Sequence, residues 1–318
     1  MKKNIHFIFG ASGFIGKHLI NKLLKTNNNI IFAFDKKLLN IKSKNIYFFK
    51  IDLSKAHAVN KILKKIFINY NIIKIDFFWQ LAANSDIKLS AFNSKIDLYD
   101  TFFTTYNSLE IIKTSKIIVN KYIFSSTSAV YGENELTFSE KSPTNPISSY
   151  GAMKLASEAC LSTFSKISKT KIYIIRFPNV IGTQMTHGLI YDLIKKIKKN
   201  KTKLYILGNG KQQKQYMTVN LLINTIFFII KKSKEKYSLF NIASEDNGIR
   251  VSKIVSKFIK YNNLKNTKVI YEKKNYGWIG DVSRFKYNIK KLKNLGWATK
   301  ENSRKAVEWT IKNNLIKN

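Results

Sequence analysis

The stretch Asn4-Ile5-His6-Phe7-Ile8-Phe9-Gly10-Ala11-Ser12-Gly13-Phe14-Ile15-Gly16 decides the reading of this chain. Six residues rich in β-branched and aromatic side chains predict a buried strand, and the helix-period residues 14–26 that follow predict a helix. Between them stand three glycines, each with a physical task. Gly10 allows a tight turn, Gly13 lets the backbone approach a pyrophosphate, and Gly16 permits close packing of helix on strand. The helix N-terminus, with Ser12, Phe14 and Ile15 around it, offers unpaired N–H groups and a partial positive charge to phosphates. The next strand, residues 29–34, runs into Asp35, nineteen residues past Gly16. A carboxylate there accepts hydrogen bonds from ribose hydroxyls and repels a 2′-phosphate, which favours NAD over NADP. Lys36 and Lys37 come next and partly offset that repulsion.

Outward from this motif, short apolar runs alternate with longer helix-period segments, the βαβ rhythm of a parallel sheet. Residues 45–50, 75–81, 121–125 and 171–176 read as further strands. Residues 56–69, 96–114, 150–165 and 189–199 read as helices. After Pro178 the rhythm loosens. The expected division is a dinucleotide-binding domain from 1–178 plus about 212–246, and a smaller lobe from about 179–211 plus 247–318. No internal repeat or long linker is found.

The 318 residues are 44% hydrophobic and 13% aromatic, enough for a sizeable core, while 3 prolines and 13 glycines without a period exclude collagen-like and low-complexity classes. A single cysteine, Cys160, excludes an intrachain disulfide framework, and the four histidines show no metal-ligand spacing, so no metal is expected. Lys and Arg total 56 against 19 Asp and Glu, a formal net charge of +37. The lysines run from Lys2 to Lys317 instead of gathering in one arm, which argues against nucleic acid as the primary partner. Such a field still attracts anionic ligands. The longest later apolar run, near 225–230, falls well short of the ~20 residues of a membrane helix. No small-residue cleavage site ends the first apolar stretch. A cytoplasmic protein without membrane partners is expected.

Tyr150-Gly151-Ala152-Met153-Lys154 puts a phenol and an ammonium four residues apart, on one face of a helix. A free tyrosine, with a pKa near ~10, is only ~0.1% ionised at neutral pH, and a neighbouring cation favours its phenolate. Upstream, Ser125-Ser126-Thr127-Ser128 leaves a strand and places hydroxyls at its C-terminal end, where open α/β sheets bind ligands.

With the glycine loop, Asp35, the hydroxyl run and Tyr150/Lys154 in this order, the sequence resembles the extended short-chain dehydrogenase/reductase superfamily. Within it, the likeness is to NAD-dependent nucleotide-sugar epimerases and dehydratases, through nearly the whole chain. The resemblance implies an α/β fold: a Rossmann-type doubly wound parallel sheet with a smaller C-terminal α/β substrate lobe. It implies NAD as cofactor, contacted also by Asp52-Leu53 and by Leu81-Ala82-Ala83, where Gln80 replaces the usual histidine. It implies Thr127, Tyr150 and Lys154 as catalytic residues, the last two also touching the cofactor. Substrate contacts are implied at Ser126, Thr127, Asn179 of the Arg176-to-Gly182 stretch, Lys214 and Phe285. Gly277-Trp278-Ile279-Gly280-Asp281 and Leu295-Gly296-Trp297 are similar to the C-terminal end of one epimerase-like branch. Family members commonly form homodimers through two helices, here 96–114 and 150–165.

The implied reaction is inversion of a nucleotide-diphosphate sugar through a transient keto-sugar. Dehydratase relatives carry Asp-Glu directly after the Thr, whereas Ser128-Ala129 follow Thr127. A nucleotide-sugar oxidoreductase shares every motif, and a non-catalytic NAD-binding protein is the reading from outside enzymology. Lys214 stands where an arginine normally clamps the diphosphate, trading a bidentate fork for a point charge. Trp278 falls where many 4-epimerases have a second arginine.

Overall fold

The computed structural model describes residues 3–84, 86–133, 137–277, 282 and 284–316. Its main sheet has seven strands, ordered Tyr237–Asn241, Lys171–Phe177, Ile118–Thr127, Lys74–Gln80, Asn4–Phe9, Asn29–Asp35, Ile46–Lys50. The first strand lies between the second and fourth and pairs parallel with both. That is the point where a doubly wound sheet reverses direction, and the glycine loop leaves the sheet there. Strands covered on both faces read as near-continuous apolar runs. Phe7, Phe9, Phe32, Phe34 and Phe78 are buried, with Tyr122 stacked on Phe78 at 5.0 Å. Helix Ala56–Asn69 contributes Val59, Leu63 and Ile66 to this core.

One polar member of the sheet is satisfied within it and by its neighbours. His6 is buried, its Nδ1 accepting from Trp79 Nε1 at 3.1 Å, so its Nε2 donates to Asn29 Oδ1 at 3.0 Å. The expected helix 96–114 is present with an interruption: Lys95–Asp97 is α-helical, Leu98–Phe103 forms a wider π turn, and Thr104–Ser115 resumes the α-helix. Such π turns within α-helices are frequent at functional sites. A short helix, Ile87–Phe92, was not expected; Asp86 caps it by accepting from the Leu89 amide at 3.1 Å.

By internal contacts the chain separates into two compact units. One comprises Met1–Thr127, Ser149–Arg176 and Lys232–Phe240; the other comprises Ser128–Ser148, Phe177–Lys231 and Asn241–Asn318. Residues 128–148, 177–178, 212–231 and 241–246 thus group differently from the sequence-based division, chiefly for reasons of pairing. Thr137–Phe138 pairs with Lys286–Tyr287, Gln213–Lys214 with Ile249–Arg250, and Tyr216–Thr218 with Asn179–Ile181. The second unit also holds the parallel pair Lys203–Ile206 and Lys268–Tyr271, and helices Leu189–Lys199, Val251–Tyr261 and Ser303–Lys312. Among the described residues no helix is long and apolar enough to cross a membrane.

Candidate active site

Gly10 turns the chain out of the first strand at φ +84°, a left-handed conformation that suits glycine. A Cβ there would lie 2.6 Å from the Ala82 amide nitrogen, and one on Gly16 would lie 2.3 Å from the Gly10 carbonyl. No side chain fits in either place. Helix Phe14–Leu23 begins at Gly13 with no side-chain cap and no acid in its first turn, leaving its terminal dipole uncompensated by the chain. Ile15 is half-buried, and Phe14 is buried, edge-on to His18 at 5.2 Å. Asp35 Oδ2 accepts from the Ser12 amide at 3.0 Å and Oδ1 from the Lys37 amide at 2.9 Å. The Ser12 hydroxyl closes the ring by donating to the Lys37 carbonyl at 2.8 Å.

At the end of the third strand, Asp52 accepts from the Ser54 hydroxyl at 2.7 Å and the Ser54 amide at 3.0 Å. Burial opposes its ionisation, but these bonds, with Lys36 and Lys55, outweigh it and hold the carboxyl below the ordinary range. Leu53 is buried, and its carbonyl accepts from Asn107 Nδ2 at 3.0 Å. Leu81, Ala82 and Ala83 are half-buried beyond the fourth strand. Gln80 is fully buried and donates to Thr104 and Thr105 at 3.1 and 3.2 Å. Its departure from the family histidine therefore serves the packing of strand on helix.

Tyr150 and Lys154 come together on helix Ser149–Ile167. Lys154 Nζ donates to the Ser125 carbonyl at 2.6 Å and stands 4.7 Å from the Phe124 ring and 5.8 Å from the Tyr150 ring. Thr127, half-buried, is the last residue of that strand. Burial pushes the Tyr150 phenol well above its ordinary value, with the nearby Asp97 charge second. Burial also pushes the Lys154 ammonium down to about 7, against the opposing charges of Glu158 and Asp97. In the chain itself the phenol is thus raised, by desolvation and by Asp97, opposite to the lowering expected from a neighbouring cation.

Ser126, expected at a substrate, has a buried side chain whose hydroxyl donates to Glu158. Glu158 in turn accepts from Arg176 Nε at 3.0 Å and Nη2 at 2.5 Å. In the second unit, strand register gathers the other expected substrate residues. Asn179 lies opposite Tyr216, two residues from Lys214, and Gln213 bridges to Arg284, next to Phe285. Phe285 is buried, its ring 5.7 Å from Tyr287. Trp278, Ile279, Gly280 and Asp281 lie outside the described residues.

The sequence model of the NAD dependent epimerase/dehydratase family matches residues 6–243. The chain belongs to this family. A provisionally named UDP-glucose 4-epimerase of Methanocaldococcus jannaschii is 27% identical over 317 residues, 96% of this chain and 98% of that protein. The dTDP-glucose 4,6-dehydratase of Haemophilus influenzae is 25% identical over 254 residues, 73% of each chain. A crystal structure of UDP-galactose 4-epimerase superimposes with a TM-score of 0.82 at 25% identity, covering 97% of each chain. The family is NAD-dependent, and the residues here fit that cofactor: the side-chain-free cradle at Gly10 and Gly16 and the uncapped helix suit a pyrophosphate, and Asp35 suits a ribose.

Three acids of this family member escaped the sequence reading. Glu158 continues the Tyr150, Lys154 spacing by one more turn, a signal that was legible. Asp97 is fully buried, with Oδ1 accepting from Asn84 Nδ2 at 2.9 Å, and Asp100 meets Lys36. Neither has a local signature, because each acts on residues distant in sequence.

Proposed function

We propose that the chain is a nucleotide-diphosphate-sugar epimerase, similar in reaction to UDP-glucose 4-epimerase, with a transient keto-sugar between its half-reactions. What supports this reading is Tyr150 and Lys154 on one helix, with Lys154 Nζ 2.6 Å from the Ser125 carbonyl, two residues before Thr127 in sequence. Tyr150 as phenolate takes the proton of a sugar hydroxyl while the carbon bearing it gives up hydride. Thr127 donates a hydrogen bond to the oxygen as it becomes a carbonyl. Protonation by Tyr150 then completes the return on the opposite face of the sugar, and no net oxidation results. NAD, held by the glycine loop, Asp35, Asp52, Leu53 and residues 81–83, supplies the two-electron acceptor and donor. Lys154 favours the phenolate while protonated, and the Glu158 and Asp97 charges partly offset the desolvation that lowers it to about 7.

An elimination reaction lacks its acid pair, since Ser128-Ala129 follow Thr127. In the second unit, Asn179 and Lys214 are the proposed diphosphate contacts. The buried Phe285 ring favours sugars without a 2-acetamido group. A homodimer is proposed through helices 96–114 and 150–165, the first of which exposes Tyr99 and Tyr106. With one cysteine and a nicotinamide cofactor, the reducing cytoplasm is the proposed compartment.

Incubation with NAD and a panel of UDP-hexoses, followed by proton NMR, tests the reaction. New anomeric signals at a fixed final ratio, without build-up of reduced cofactor, are expected. Stoichiometric cofactor reduction would instead assign a net oxidoreductase.

A further inference from the structure

Two lysines directly follow the ribose acid Asp35, and a cation in that corner is what a 2′-phosphate needs. Lys37 is fixed through its backbone, its amide on Asp35 and its carbonyl receiving the Ser12 hydroxyl. Lys36 is drawn aside instead. Its Nζ lies 2.6 Å from Oδ2 of Asp100, 64 residues further along the chain. Asp100 is carried by the π turn Leu98–Phe103, where its own carbonyl accepts from Thr104 Oγ1 at 3.3 Å. Asp52 also feels the Lys36 charge, and Lys55 stands 5.6 Å over the Tyr99 ring beside Asp100 in sequence. In a chain of formal charge +37, this corner sets one ion pair, Lys36–Asp100, beside Asp35 and Asp52.

We propose that Asp100 is a positioning residue for cofactor selectivity: by pairing with Lys36, it withholds that cation from a 2′-phosphate and biases the site towards NAD over NADP. The proposal goes beyond the sugar reaction and is read by cofactor binding alone, whatever sugar is turned over. The Lys36 side chain is 52% exposed and that of Asp100 29% exposed, so the pair is a bias and not a lock.

The test is the dissociation constants of NAD⁺ and NADP⁺, by calorimetric titration of the full chain. The proteins compared are the wild type, Asp100→Asn, Lys36→Gln and the double variant. Asp100→Asn is expected to tighten NADP⁺ about three- to tenfold, with NAD⁺ unchanged within twofold, the gain shrinking as salt is raised. Lys36→Gln is expected to leave NADP⁺ weak, and the double variant to lose the gain to below twofold. An unchanged NADP⁺ constant in Asp100→Asn would overturn the proposal. So would a gain that persists without Lys36, or parallel changes in both cofactors, which would mean a general distortion of the corner. Asp100→Ser supplies a second route to the same comparison should the Asn variant fold poorly.

Discussion

At the residue scale, Lys154 shows a functional group held at the expense of stability. Its ammonium is buried and pushed from 10.5 down to about 7, so between those pH values the unfolded chain holds a proton that the folded chain has lost. Stability therefore rises with pH across that window, and below it the fold carries the full cost of an immersed cation, at most about 5 kcal/mol. Lys154→Met is predicted to raise the urea midpoint of the cofactor-free protein at pH 6–7, with the gap closing towards pH 10, while turnover is lost. A lower midpoint at pH 6 would contradict this. Glu158 is the opposite case. It is the shared acceptor for Arg176 and Ser126, all three buried, and Glu158→Gln leaves the guanidinium short of charge. A loss of about 3–5 kcal/mol in urea unfolding is predicted.

At the element scale, the first strand carries an acid-sensitive joint. His6 is buried and neutral, its ring pushed down from 6.5 to about 4 chiefly by desolvation, and it must charge as acid unfolds the chain. The unfolded chain binds the extra proton between those two values, so stability falls as pH drops from about 6.5 to 4, by about 3 kcal/mol from this residue. His6→Gln should flatten that part of the pH–stability curve, measured by urea titration at half-unit steps. A curve as steep as the wild type's would assign the acid loss elsewhere. The same strand shows what was legible. Its apolar run, the turn glycines and the acid nineteen residues on each have a local physical cause, and the helix 56–69 was bounded to the residue. The π turn at Leu98–Phe103 was not legible, because helical periodicity continues unbroken through it. Nor were the two- and three-residue strands of the second unit, too short to show a period and formed only by distant partners. Tyr150 and Lys154 were legible as a pair because a helix fixes their spacing. Burial of Ser126 was not, since Glu158 and Arg176 reach it from other elements.

At the scale of the whole molecule, the excess of 56 basic over 19 acidic residues acts as a field. Self-repulsion in a chain of charge +37 opposes compaction, and the same field draws in anionic ligands. Raising salt from 20 to 300 mM is therefore predicted to raise the melting temperature while weakening NAD binding; a fall in melting temperature would show local pairs outweighing the net charge. In the proposed reaction the glycine cradle and the buried lysine both serve one proton transfer by Tyr150. Its most direct test is the kcat of Tyr150→Phe on the UDP-hexose that the wild type turns over, with NAD binding titrated alongside. A fall of about a thousandfold or more with an unchanged NAD dissociation constant is predicted. Turnover retained within tenfold would contradict the account.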